Sequence, residues 1–165
     1  MKNFNSKQFE KKLQVSDRLE VNNDLCSGCG ICELACSLYN EDICKPTWSR
    51  IKVKKKFLLL EYNPQVCTQC EWPSCYYECP VGAVKVDLNT GARYIQADKC
   101  IGCGKCEKAC PLMPNINVIG FKRIGKKKVY FKCDLCKDRK NGPLCVEMCP
   151  RNALSYYSKN RASRN

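Results

Sequence analysis

Apolar and polar residues alternate with period two in short bursts along the chain, which predicts a protein built from short strands. Arg18 to Val21 reads as a short strand. The stretch Arg50 to Tyr62 reads as one or two, with Ile51, Val53 and then Phe57 to Leu60 on one side and Lys52 and Lys54 facing water. Residues 83 to 96 (AVKVDLNTGARYIQ) alternate on both sides of Asn89-Thr90-Gly91, a run of turn residues, and predict a hairpin. A second strand pair, Ile116 to Ile124 and Lys128 to Lys132, is joined at Gly125, and Leu154 to Tyr157 closes the series. Glu33 to Leu38 begins a short helix. Residues 1 to about 17 are polar and Lys-rich without clear periodicity, and read as a solvated or partner-contacting arm.

What separates these elements is cysteine, present at seventeen of 165 positions. Residues 100 to 110 (CIGCGKCEKAC) precede Pro111 and set Cys100, Cys103, Cys106 and Cys110 at C-x2-C-x2-C-x3-C-P, the bacterial ferredoxin spacing for a 4Fe-4S cluster. Three thiols two residues apart wrap one face of a cubane. The fourth, before a turn-forcing proline, points away, and in two-cluster ferredoxins it ligates the neighbouring cluster. The same grammar recurs in Cys26, Cys29, Cys32 and Cys36, where Ser37 replaces the proline, and in Cys67, Cys70, Cys75 and Cys79 with Pro80. It returns in Cys133, Cys136, Cys145 and Cys149 with Pro150, the middle gap stretched to eight residues. Glycines at 28 and 30 let backbone N–H groups turn toward the sulfurs. Zinc ribbons pair two C-x-x-C units across a longer loop, whereas the last gap here is always three residues, so iron–sulfur is favoured over zinc.

Composition narrows the chemistry further. There is no histidine, which excludes c-type haem, Rieske centres and most catalytic zinc sites and leaves all-thiolate chemistry. A disulfide framework needs a secretory context, yet the first 21 residues show no apolar h-region and the cysteine count is odd. The longest apolar run, Phe57 to Leu60, is far too short for a bilayer, so the expectation is a cytoplasmic protein without a membrane span. The formal charge of +13 would suggest nucleic acid, but sixteen thiolates around four cores of about +2 each reduce it to about +5. That weakens the nucleic-acid reading.

The segments CTQCEWPSCYYECPVGA, CIGCGKCEKACP and CDLCKDRKNGPLCVEMCP resemble the four-cluster ferredoxin-type subunits of molybdenum and tungsten pterin oxidoreductases. That group includes the small subunits of dimethyl sulfoxide, polysulfide and nitrate reductases, formate dehydrogenases and class II benzoyl-CoA reductases. The likeness covers residues 20 to 157, and the compact chain is most similar to the small subunit of tungsten aldehyde-oxidoreductase-type complexes. The resemblance implies four 4Fe-4S clusters with exchanged ligands. One takes Cys26, Cys29, Cys32 and Cys149; its neighbour takes Cys133, Cys136, Cys145 and Cys36. The central pair takes Cys67, Cys70, Cys75 with Cys110, and Cys100, Cys103, Cys106 with Cys79.

The expected fold is therefore α+β: two nested bacterial-ferredoxin-like units of two clusters each. An outer unit joins residues 21–40 to 112–157, an inner unit spans 67–111, and residues 41–66 form a strand insert between tails at 1–20 and 158–165. Such a row divides one long electron jump into short ones. The expected role is an electron-transfer subunit between a larger catalytic subunit and a soluble carrier such as ferredoxin; a free-standing polyferredoxin is the alternative. No catalytic triad, phosphate loop or flavin fingerprint is visible, and Gly28-x-Gly30 and Gly102-x-Gly104 read as cluster-loop glycines. Lys99, Lys105, Lys108 and Lys132 lie near ligands; pointing inward they would favour the reduced state, and the reading preferred is that they are solvated. Trp72, Tyr76 and Tyr77 read as packing that keeps water off a cubane, and Cys44 as a small buried apolar residue.

Overall fold

A computed structural model describes residues 13 and 15–158, so most of both tails lies outside the described residues. Eight strands pair into four separate two-stranded antiparallel sheets: β1 (Arg18–Val21) with β8 (Leu154–Tyr157), β2 (Ile51–Lys56) with β3 (Glu61–Val66), β4 (Val84–Val86) with β5 (Arg93–Ile95), and β6 (Ile119–Ile124) with β7 (Lys127–Lys132). Four helices lie among them: α1 (Ile31–Glu41), α2 (Ser74–Tyr77), α3 (Lys105–Ala109) and α4 (Leu144–Glu147). Only α1 exceeds five residues, because each helix has to span little more than two cysteines of a quartet.

The hairpins follow the sequence pattern closely. β4 and β5 flank the Asn89-Thr90-Gly91 turn, where Gly91 has φ +72 and the Asp87 carboxylate accepts from both the backbone N–H and the hydroxyl of Thr90. β6 and β7 turn at Gly125 with φ +58. The long-range partner of β1 is β8, in the register Arg18 opposite Tyr157 and Val21 opposite Leu154, so the two ends of the described chain form one ribbon.

Phe57 to Leu60 departs from the strand expectation. Pairing of β2 with β3 runs out at Lys56 opposite Glu61, so these four residues form the connecting 3-10 turn, and Leu58 is fully exposed at its tip. At the other end of the hairpin Ile51 is 1% exposed opposite Val66, and both belong to the core. That core is unusual in content: eight of its twenty buried members are cysteines, interleaved with Val84, Val118, Ile119 and Leu135. The sheets are thus walls around the thiols rather than layers packed on each other.

Candidate iron–sulfur sites

Two kinds of loop present the thiols, and they alternate along the chain. In the first and third quartets, glycines at φ +70 and +79 (Gly28, Gly30) and at φ +73 and +74 (Gly102, Gly104) wrap the loop, and Gly30 and Gly104 cap α1 and α3. A side chain is excluded at two of them by contact as well as by backbone: a Cβ on Gly28 would stand 2.3 Å from the Tyr62 ring, and one on Gly102 would stand 2.3 Å from the Lys128 carbonyl oxygen. In the second and fourth quartets the residues after the first cysteine, Gln69 and Leu135, take φ +54 and +60. Their N–H groups donate back to Cys67 Sγ at 3.4 Å and Cys133 Sγ at 3.5 Å. The last cysteines of these quartets match as well: Ala83 N–H donates to Cys79 Sγ at 3.1 Å, and Ala153 N–H to Cys149 Sγ at 3.3 Å. Such donors stabilise sulfur that carries negative charge.

The sulfurs meet across quartets. Cys26, Cys29 and Cys32 line one cavity together with Cys149. Cys67, Cys70 and Cys75 line a second with Cys110. Cys100, Cys103 and Cys106 line a third with Cys79. The three enclose about 330, 350 and 300 Å³ of atom-free space counting their mouths, a similarity expected if one kind of group fills all three. Cys36 stands in the field of Cys136 and Cys145, and Cys145 in turn feels Cys136. Cys36 Sγ also accepts the Arg50 N–H at 3.3 Å and the Asn40 amide at 3.6 Å.

Contacts between the elements that carry the thiols give the order of the sites: α1 packs on α4, the Gln69 amide reaches the Cys133 carbonyl oxygen, and α2 packs on α3. The sequence of sites is thus Cys26, Cys133, Cys67, Cys100. Exposed quartet thiols occur only at the two ends: Cys29 in the first site and Cys103 in the last, whereas Cys36, Cys133, Cys136 and Cys145 are all buried.

Two further features test whether these residues suit a polynuclear cluster. No group of three or more Cys, Asp or Glu converges on a single-ion position among the described residues, so the thiols stand around a space and not around a point. Burial, reinforced by neighbouring charge at Cys32 and Cys106, pushes those two thiols up to about 12, and burial pushes Cys75 and Cys136 up to about 11 although Lys132 opposes it at Cys75 and a backbone hydrogen bond with Leu144 opposes it at Cys136. Thiolates at these positions therefore need a cationic core between them, which an iron–sulfur cubane supplies. The residues fit the group.

Lys132 is the residue the sequence reading misjudged. Lys99, Lys105 and Lys108 are exposed, but Lys132 is 3% exposed and its ammonium donates to the Arg93 carbonyl oxygen and, at 3.5 Å, to Gln69 Oε1. Burial opposes its charge, but the thiols of Cys67, Cys75 and Cys133 more than offset that and raise its pKa. Two other expectations also change. Trp72 is exposed and Tyr76 stacks edge-on against Tyr77, so only Tyr76 packs on the core. Cys44 is exposed and lies outside the three cavities.

Comparison with known proteins agrees with this chemistry. Residues 58–159 match the 4Fe-4S dicluster domain family, and residues 23–40 match a 4Fe-4S binding domain. The polyferredoxin-like subunit of aliphatic sulfonate oxidoreductase from Pyrococcus furiosus is 42% identical over 139 residues, covering 82% of this chain and 74% of that protein. Electron transport protein HydN of Escherichia coli K12 is 34% identical over 152 residues, covering 82% of this chain and 85% of its own. Among solved structures, a chain of the BamBC active-site complex of benzoyl coenzyme A reductase superposes with a TM-score of 0.51 at 26% identity, covering 88% of this chain and 80% of that one. With quartets that cover its length and a domain match over more than half of it, the chain belongs to the 4Fe-4S dicluster family of ferredoxin-like electron-transfer proteins.

Proposed function

We propose that the chain relays single electrons along four 4Fe-4S clusters as the iron–sulfur subunit of a larger oxidoreductase. The observation that carries this reading is the row of four cysteine sites whose exposed quartet thiols occur only at its two ends. The ligand sets are Cys26, Cys29, Cys32 and Cys149; Cys133, Cys136, Cys145 and Cys36; Cys67, Cys70, Cys75 and Cys110; and Cys100, Cys103, Cys106 and Cys79. Bound clusters supply one-electron redox chemistry without proton transfer.

The protein's own residues do the rest. Val53 and Pro64 of the β2–β3 hairpin wall the Cys26 site, and Val84 and Ile95 of β4 and β5 wall the Cys100 site, so that of the quartet cysteines only Cys29 and Cys103 are exposed. Backbone N–H groups from Gln69, Ala83, Leu135 and Ala153 hold the thiolates and offset part of their charge. Crossing the fourth ligand between quartets locks neighbouring sites at a fixed separation, which a relay by electron tunnelling requires.

The partner reading is a catalytic subunit with a tungsten or molybdenum pterin at one end and a soluble carrier such as ferredoxin at the other. The relative named as a subunit of an aliphatic sulfonate oxidoreductase supports the subunit role. Among the described residues no helix is long and apolar enough to cross a membrane. Anaerobic isolation followed by metal analysis and EPR tests the relay: about sixteen iron per chain is expected, and stoichiometric zinc instead of iron overturns it. Purification from the native source tests the partner, with tungsten or molybdenum in a co-eluting larger subunit as the expected result. Elution of the chain alone would favour a free-standing polyferredoxin.

A further inference from the structure

Lys132 stands at the centre of the row, where the Cys67 and Cys133 sites meet. It lines the cavity of Cys67, Cys70, Cys75 and Cys110, and the charges that act on it most strongly are the thiols of Cys67 and Cys75, ahead of Cys133. Its hydrogen bonds run to neutral oxygens, the Arg93 carbonyl, Gln69 Oε1 and the Cys133 carbonyl, and to the Cys67 side chain. No carboxylate pairs with it among the described residues. A fully buried cation without a carboxylate is strongly unfavourable unless another anion compensates it. The thiolate set at the Cys67 site is that anion.

The buried cations among the described residues, Lys132 and Arg93, both line the Cys67 cavity, although Cys133 also acts on Lys132. At the Cys133 site Arg50 is held by Asp134 at 2.5 Å and Glu41 at 3.8 Å, so its charge reaches Cys136 only against two adjacent carboxylates. The Cys100 site is walled by Val84, Ile95, Ile101 and Tyr130, the last of which donates to Glu107. At the Cys26 site the cation is Arg151, an exposed residue whose charge water screens.

We propose that Lys132 makes the cluster at Cys67, Cys70, Cys75 and Cys110 the most readily reduced of the four, so that the row has its electron sink in the interior and not at either end. The proposal rests on the relay reading above. Reduction adds one electron to that cluster, taking its core from about +2 to about +1, while the neighbouring cluster that donates it is oxidised by one unit and no proton moves. The extra negative charge forms beside a fixed ammonium that is itself buried, where opposite charges attract more strongly than in water. Lys132 is thus a positioning residue for charge, acting through the thiolates it faces.

The test is a potentiometric titration of the anaerobically isolated full chain followed by EPR. In the wild type, one cluster is expected to reduce at a distinctly higher potential than the rest, and Cys70→Ser is expected to alter that signal and no other. Lys132→Met is expected to lower that one midpoint with iron still at about sixteen per chain, and Lys132→Arg to restore it. Unchanged midpoints in Lys132→Met overturn the proposal, as does a first-reduced signal that Cys70→Ser leaves intact. The latter measurement needs no Lys132 variant, so it decides the matter even if Lys132→Met fails to fold. Iron far below sixteen in the wild type sinks the relay reading itself, a different failure from clusters that are present but ordered otherwise.

Discussion

The Gln69 side-chain amide donates to the Cys133 carbonyl oxygen at 2.8 Å, across 64 residues of sequence. The same side chain accepts the Arg93 N–H at 2.8 Å through Oε1, so one buried glutamine ties the second quartet to the fourth and to strand β5. Gln69→Leu leaves a buried carbonyl and a buried N–H without their partner. The expected cost is about 1–3 kcal/mol, read as a lower midpoint in denaturant unfolding of the cluster-loaded protein. The backbone does not object to leucine, because Leu135 occupies the equivalent left-handed position in the fourth quartet. An unchanged midpoint would show that the tie contributes nothing.

Arg50 links the β2–β3 insert to the fourth quartet through Asp134 and to the end of α1 through Glu41, and Lys122 of β6 reaches the same Glu41. Asp134 and Glu41 side chains are only 13% and 6% exposed. Arg50→Met strands Asp134, while Glu41 keeps Lys122, and is expected to destabilise by about 3 kcal/mol. Adding Asp134→Asn should recover part of the loss. If the two substitutions simply add, the pair is not coupled.

Cys44 is exposed and belongs to none of the proposed ligand sets, whereas Cys29 and Cys103 are exposed but assigned to clusters. Alkylation of the anaerobic cluster-loaded chain with iodoacetamide should therefore add one label, and Cys44→Ala should remove it without changing the iron content. After unfolding with a chelator all seventeen cysteines should react. Labels on Cys29 or Cys103 before unfolding would count against their assignment.

At Asp87, burial pushes the carboxyl up, but the N–H and hydroxyl of Thr90 more than offset this, and its pKa lies below the ordinary 3.8. A depressed carboxylate stabilises the fold above its ordinary pKa and loses that contribution as pH falls through the lowered value. Asp87→Ala should thus lower the melting temperature near neutral pH, with the gap to wild type narrowing as pH falls from about 6 to about 3. A gap independent of pH would assign the effect to packing in the turn.

Local pattern made much of this legible. Asn89-Thr90-Gly91 and Gly125 mark the two inner hairpins, and Arg18 to Val21 marks β1, because turn residues and period-two alternation act over a few residues. What escaped detection depends on distant chain. Nothing next to Arg18 announces that Tyr157 will lie opposite it. Lys132, beside a cysteine on an alternating strand, reads as solvated until Gln69 and Arg93, 63 and 39 residues away, cover it. Phe57 to Leu60 looks like strand by composition, but the register of Lys56 with Glu61 leaves it no partner. The quartets themselves were plain; that they form two alternating loop types was visible only as a small signal, Gly-x-Gly in the first and third and a proline before the third cysteine of the second and fourth.

The ribbon formed by β1 and β8 bears on how the molecule is made. A chain leaves the ribosome from its N-terminus, so Cys26, Cys29 and Cys32 emerge first yet share their cavity with Cys149, near the end of the described residues. The cavities that combine quartets two and three have all their cysteines by residue 110. The Cys67 and Cys100 end of the row thus has its full set of thiols while synthesis is still under way, and the first thiols made are among the last to be satisfied. A nascent chain stalled before residue 149 would have the thiols of its Cys67 and Cys100 sites complete and an open N-terminal loop.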